Sequence, residues 1–148
     1  MILETEQSYL DIDWFFTDNK NIGFVASAGG KLPKSVSMSK DTIQLLASYF
    51  RELPAITDVL VNPKLKEIMI NREVNENYLS DFIFMAEKGL YSFDKTLLNN
   101  LDDDRYHLAV SPVVALNISD LPSEISNIVS QTINSIRINE PLIISSFL

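Results

Sequence analysis

His107 is the sole histidine of the chain, and there is no cysteine. A lone imidazole serves as a general base when a carboxylate orients it. Without a thiol its nucleophile has to be a serine or threonine, and the G-x-S-x-G elbow is absent. Zinc needs more imidazole or thiolate than this chain holds. Asp11 and Asp13 stand two apart in a segment that reads as a strand. Both therefore point to one side, near enough to perturb each other, the minimum for carboxylate acid–base chemistry. A solvent-facing strand edge shows the same pattern, and that is the preferred reading. Asp102, Asp103 and Asp104 offer oxygens to a hard cation, but the D-x-[DN]-x-[DN]-G spacing is missing and adjacent carboxylates splay apart. A solvated turn is expected there. Ala28-Gly29-Gly30-Lys31-Leu32-Pro33-Lys34-Ser35 has the glycines and lysines of a phosphate cradle. It fails G-x-x-x-x-G-K-[ST], and Pro33 removes a donor, so it reads as a strand-to-helix connection with a glycine at positive φ. No catalytic residue, metal site or cofactor is assigned.

Aromatic residues among acids suit an interface better than a reaction. Phe15 lies between Asp13 and the hairpin turn and reads equally as an exposed anchor for a protein partner and as a second layer of core beneath a helix. The candidate partner-binding residues are Asp11, Asp13, Phe15, Asp102, Asp103 and Asp104.

These residues need elements to place them. Asp11 to Thr17 and Ile22 to Ser27 alternate with period two around Asp18 to Asn21, which predicts a β-hairpin. Ile12, Trp14 and Phe16 share one side of the first strand. With Phe24 they are expected in a core against the helix carrying Leu46 and Phe50. That helix is capped by Ser39, has Ile43, Leu46, Phe50 and Leu53 at spacings of three and four, and stops at Pro54. Residues 55–72 are ambiguous: Ile56, Val59, Leu60 and Val61 suggest a short strand or a buried loop, and Pro63 can open a helical turn or two. A second helix starts at Asn75 or Asn77 and ends before Gly89. Leu90 to Phe93 and Tyr106 to Val110 read as strands, with Pro112 ending the latter. Asp120 is expected to cap a third helix bearing Leu121, Ile125, Ile128, Val129 and Ile133. Ile136 and Ile138 suggest a last strand, and Leu142 to Ile144 an apolar docked tail. This order predicts an α+β fold, an antiparallel or mixed sheet of four to five strands with about three helices packed on one face.

Composition narrows the function classes. The 148 residues suit a single globular domain over 1–148 that needs no disulfide or metal staple. The net charge is −8. Residues 1–19 hold five acids and no base, 20–72 eight bases and four acids, and 73–148 eleven acids and four bases. A nucleic-acid binder is normally basic, so the balance argues against one and favours solubility or a basic protein partner. No signal-peptide pattern or membrane-length apolar run is present, and a cytoplasmic protein is expected.

Asp13-Trp14-Phe15-Phe16-Thr17-Asp18 with Ile22-Gly23-Phe24-Val25-Ala26-Ser27-Ala28-Gly29-Gly30 resembles the opening of small bacterial proteins, some of them regarded as immunity proteins of polymorphic toxin systems. The resemblance implies a small acidic α+β protein that binds and masks a toxin; it carries over no functional residue. The leading expectation is thus a non-catalytic protein-binding module, with an immunity protein against a basic toxin domain as its specific form. The alternatives are a small carboxylate-dependent hydrolase using Asp11, Asp13 or His107, and an accessory subunit of a bacterial complex.

Overall fold

In a computed structural model of the protein, residues 1–134, 142–143 and 147 are described. The elements follow as α1 (Glu4–Gln7), β1 (Asp13–Thr17), β2 (Ile22–Ala26), α2 (Lys34–Ser37), α3 (Lys40–Glu52), β3 (Val59–Val61), α4 (Leu65–Ile68), α5 (Glu76–Ala86), β4 (Tyr91–Lys95), β5 (Arg105–Pro112), a 3-10 turn (Ile118–Asp120), α6 (Ser123–Val129) and β6 (Leu142–Ile143). Five strands lie in the order β1-β2-β4-β5-β3, and the two-residue β6 pairs with β5. The β2–β4 pair is parallel and the others are antiparallel. The fold is the α+β arrangement with a mixed sheet that the element order predicts.

Local chemistry sets the helices. Ser39 accepts from the Thr42 amide and starts α3; Asn75 accepts from the Tyr78 amide and starts α5. Each cap satisfies a donor that the helix itself leaves free. Gly89, at φ +95°, turns the chain out of the α5 end, and a Cβ there would collide with the Leu116 backbone. Asp120 does not cap α6. It ends the 3-10 turn and accepts from the Asn117 amide, while Pro122 precedes α6; Leu121 and Ile133 then fall outside that helix.

Sheet register divides the hairpin's aromatics between two faces. Phe15 stands opposite Phe24, and Trp14 opposite Val25. Phe15 and Phe24 pack with Leu46 and Phe50 of α3, Phe82, Met85 and Ala86 of α5, and Ile125 and Val129 of α6. Trp14 and Phe16 are equally buried but on the other face, with Ile2, Leu32, Val36, Val25, Phe93 and Tyr106. The single core expected of Trp14, Phe16, Phe24, Leu46 and Phe50 is therefore two cores. The three longer helices cover one face, and the N-terminal segment with α2 covers the other. Both faces of β1 and β2 are consequently dry, which is why β2 is buried at every position. Residues 55–72 resolve into β3 and α4. Leu142 and Ile143 do join the body, pairing with Tyr106 and Arg105; Ile136, Ile138 and Ile144 lie outside the described residues.

β1 begins at the end of the sheet where β2 and β4 finish and β5 starts. The β4–β5 turn, with Asp102 to Asp104, is thus on the same end as Asp13. No helix among the described residues is long and apolar enough to cross a membrane.

Candidate functional site

The sequence-selected residues separate into distinct jobs. Asp11 is exposed, and its Oδ1 accepts from the Ala28 amide at 2.9 Å, closing the β1–β2 unit across the glycine loop. Asp13 faces α3. Its Oδ2 accepts from Arg51 Nε at 3.0 Å and Nη2 at 2.7 Å, and the same guanidinium donates to both Asp81 oxygens at 2.8 and 2.9 Å. One arginine of α3 so ties β1 to α5. Burial pushes the Asp13 carboxyl up, against the opposing effect of Arg51. Asp11 and Asp13 are engaged separately and form no catalytic pair. Phe15 is 2% exposed and sits in the helix-face core. The hairpin register turns it inward, so it offers no surface anchor. Asp102 is exposed. Asp103 is held by Arg105, with Nη2 to Oδ2 at 2.6 Å, and this hydrogen bond holds its carboxyl below the usual range. Gly29 has φ +75°, as a strand-to-helix connection requires.

His107 belongs to a buried polar cluster. On β4 and β5, Asp94 and His107 are opposite one another and only 3% and 5% exposed. Asp94 Oδ2 accepts from Tyr78 Oη at 2.8 Å and Arg72 Nη2 at 3.0 Å. Arg72 Nη1 also donates to the Lys95 carbonyl at 3.0 Å, and its guanidinium carbon lies 5.4 Å from the Tyr78 ring centroid. His107 Nε2 is 3.2 Å from Tyr78 Oη, and Nδ1 is 3.0 Å from Thr96 Oγ1. The Tyr78 proton is committed to Asp94, so the imidazole must donate from Nε2 to Tyr78 and accept at Nδ1 from Thr96. That assignment satisfies a neutral ring completely. Burial, and then the nearby Arg72 charge, lowers His107 to about 4. Burial first, and Asp94's charge second, raise the Tyr78 phenol well above its normal range. Burial also raises Asp94. The imidazole is neutral at pH 7, with both nitrogens engaged inside the protein.

Arg72, Tyr78 and the pair Asp94 and Thr96 come from three places in the chain, and nothing in the spacing between those places announces the cluster. One signal was available: Asp94 occupies a strand otherwise carrying Phe93 and bounded by Leu90, where an inward acid demands a partner. The cluster does not close on itself at the surface. Arg72 and Thr96 line a groove of about 430 Å³ between the α4–α5 connection and the β4–β5 turn.

On the opposite sheet face, two buried donors, Lys95 Nζ and Trp14 Nε1, have no partner in hydrogen-bonding geometry among the described residues. Lys95 is 1% exposed, with its ammonium 5.5 Å from the Tyr106 ring centroid. Gly30 lies against both, since a Cβ there would strike Tyr106 Oη. The glycine loop thus serves as a lid on this aromatic core. Among the described residues no three acidic or histidine side chains gather as a metal site would require. Compared with known proteins, the chain matches no family model, no curated protein and no solved structure.

Proposed function

We propose that the chain is a non-catalytic protein-binding module that engages a basic partner through the acidic end of its sheet. The observation that supports this most is the internal satisfaction of the only imidazole–carboxylate cluster. Asp94 and His107 spend their polar atoms on Arg72, Tyr78 and Thr96, leaving no free base beside a nucleophile. The acids of the hydrolase alternative sit elsewhere, with Asp13 on Arg51 and Asp11 on the Ala28 amide. Asp102 meanwhile projects from the β4–β5 turn in a chain of net charge −8. Exposed acids steer a basic partner and raise its on-rate. A toxin domain is the partner that the N-terminal resemblance implies.

The test is charge reversal that spares the Asp103–Arg105 bond. Asp102→Lys with Asp104→Lys should slow association with a partner captured from the native host by about tenfold and flatten its salt dependence, because steering acts on the encounter. Equal on-rates and equal salt slopes for wild type and variant would refute the role of this turn. Turnover abolished by Asp13→Asn or His107→Ala would refute the non-catalytic reading itself.

A further inference from the structure

The groove beside Arg72 differs in chemistry from the rest of the chain. Among the described residues its lining includes Arg72 and Arg105 and no acidic side chain, in a protein with 20 acids and 12 bases. Its apolar wall is open to solvent: Ile70 is 83% exposed, Leu97 44% and Leu98 37%. Contiguous exposed apolar side chains beside a cation mark a surface that something amphipathic covers.

Arg72 is fixed before any ligand arrives. Asp94 Oδ2, the Lys95 carbonyl and the Tyr78 ring hold it from three directions. A guanidinium carries five N–H groups, and two are used by these bonds. The remainder belong to a side chain that is one quarter exposed and lines the groove. A planar donor fork with its rotamer already frozen loses little entropy on binding a planar acceptor. Arg105 stands on the groove as well, with Nε and Nη2 committed to Asp103. Asp94 and Asp103 already balance these two cations, so the groove offers N–H groups but no unpaired cation: a single carboxylate matches what Arg72 has left to give, whereas the second charge of a dianion would be desolvated with nothing to pair it.

We propose that this groove binds an amphipathic monocarboxylate, its carboxylate on Arg72 and its alkyl body along Ile70, Leu97 and Leu98. In this view Asp94, Tyr78 and His107 are positioning residues that hold Arg72 at the groove. The proposal stands apart from the protein-binding reading, and its test needs no protein partner.

The experiment is a titration of the full chain with octanoate, followed through the methyl resonances of Ile70, Leu97 and Leu98. Octan-1-ol, octyl phosphate and inorganic phosphate serve as comparison probes. Saturable shifts with octanoate are expected, with binding at least tenfold weaker for octan-1-ol, which lacks the charge, and for octyl phosphate, which carries too much of it; inorganic phosphate should leave the methyls unmoved. Arg72→Gln should abolish the preference for acid over alcohol. Since that change also strands Asp94, Ile70→Glu provides a second variant at a site exposed enough to leave the fold intact, and it should weaken octanoate at least tenfold. No saturable binding by octanoate would overturn the proposal, as would equal affinity for acid and alcohol, or unchanged octanoate affinity in Ile70→Glu.

Discussion

Acidification should destabilise this protein through one identifiable proton. His107 is 5% exposed and neutral, bonded to Tyr78 and Thr96, with Arg72 bearing on the same cluster. Its folded value is lowered from 6.5 to about 4. Between those values the unfolded chain binds a proton that the folded protein refuses, so stability rises with pH across that window and is lost as pH falls from about 6.5 toward 4. The gap of about 2.5 units, at roughly 1.4 kcal/mol per unit, amounts to about 3 kcal/mol. Asp94 works in the opposite direction: its raised carboxyl takes up a proton earlier in the folded state and returns some stability as pH falls. The comparison that isolates His107 is therefore wild type against His107→Gln, by urea denaturation at intervals from pH 7.5 to 4. The wild type should lose about 3 kcal/mol more than the variant over that range. Because the chain has one histidine, its imidazole resonance reports the folded titration directly. A resonance titrating near 6.5 in the folded state, or parallel pH profiles for the two proteins, would refute the buried neutral assignment.

Two further outcomes follow from the opposite sheet face. Lys95→Met should stabilise the protein by roughly 1–3 kcal/mol at pH 7 in urea melts, because it removes a buried, unpaired amine. Burial lowers Lys95, so wild-type stability should climb as pH rises from its folded value toward the ordinary lysine range, and the variant should lack that climb. Trp14→Ala should cost about 3–5 kcal/mol as a core truncation; a loss below about half a kilocalorie would show that the N-terminal cover over Trp14 does not form a packed core.

Much of the fold was legible where local chemistry decides it. Ser39 and Asn75 announce α3 and α5, and the Asp18 to Asn21 turn announces the hairpin. What alternation within each strand cannot supply is the parity between strands. Thr17 pairs with Ile22 across the turn, which sets Phe24 opposite Phe15 instead of beside Trp14. The expectation that Phe24 shares a core with Trp14 and Phe16 failed on that one register. Phe15 shows the companion difficulty: it shares its side of β1 with Asp13 and Thr17, so alternation marks that side as the wetter one although all three aromatics of the strand are buried. The α6 start was misplaced because Asp120 has the chemistry of a cap, while Asn117 takes the first turn and Pro122 the second. Of the buried cluster, His107 was visible as a lone histidine. Of its partners only Asp94 gave a signal, as an acid beside Phe93; Arg72, Tyr78 and Thr96 join it only after β4 has paired with β5 and α5 has docked on both.

The parallel pairing of β2 with β4 also sets an order of events during synthesis. The β1–β2 hairpin is complete once residue 26 is made, but two strands alone are marginal in water. Their next neighbour pairs Gly23 with Tyr91, so Trp14, Phe15, Phe16 and Phe24 wait through α2, α3, α4 and α5 before the sheet closes over them. Long-range closure of this kind slows folding and leaves apolar strands available to other chains. Nascent chains ending at residue 88 should show no fixed near-ultraviolet signal from Trp14 and should recruit a holding chaperone, whereas chains extended past β5 should acquire both the signal and protease resistance. For this protein the vulnerable interval is the making of the middle of the sequence, after its aromatic hairpin has already emerged.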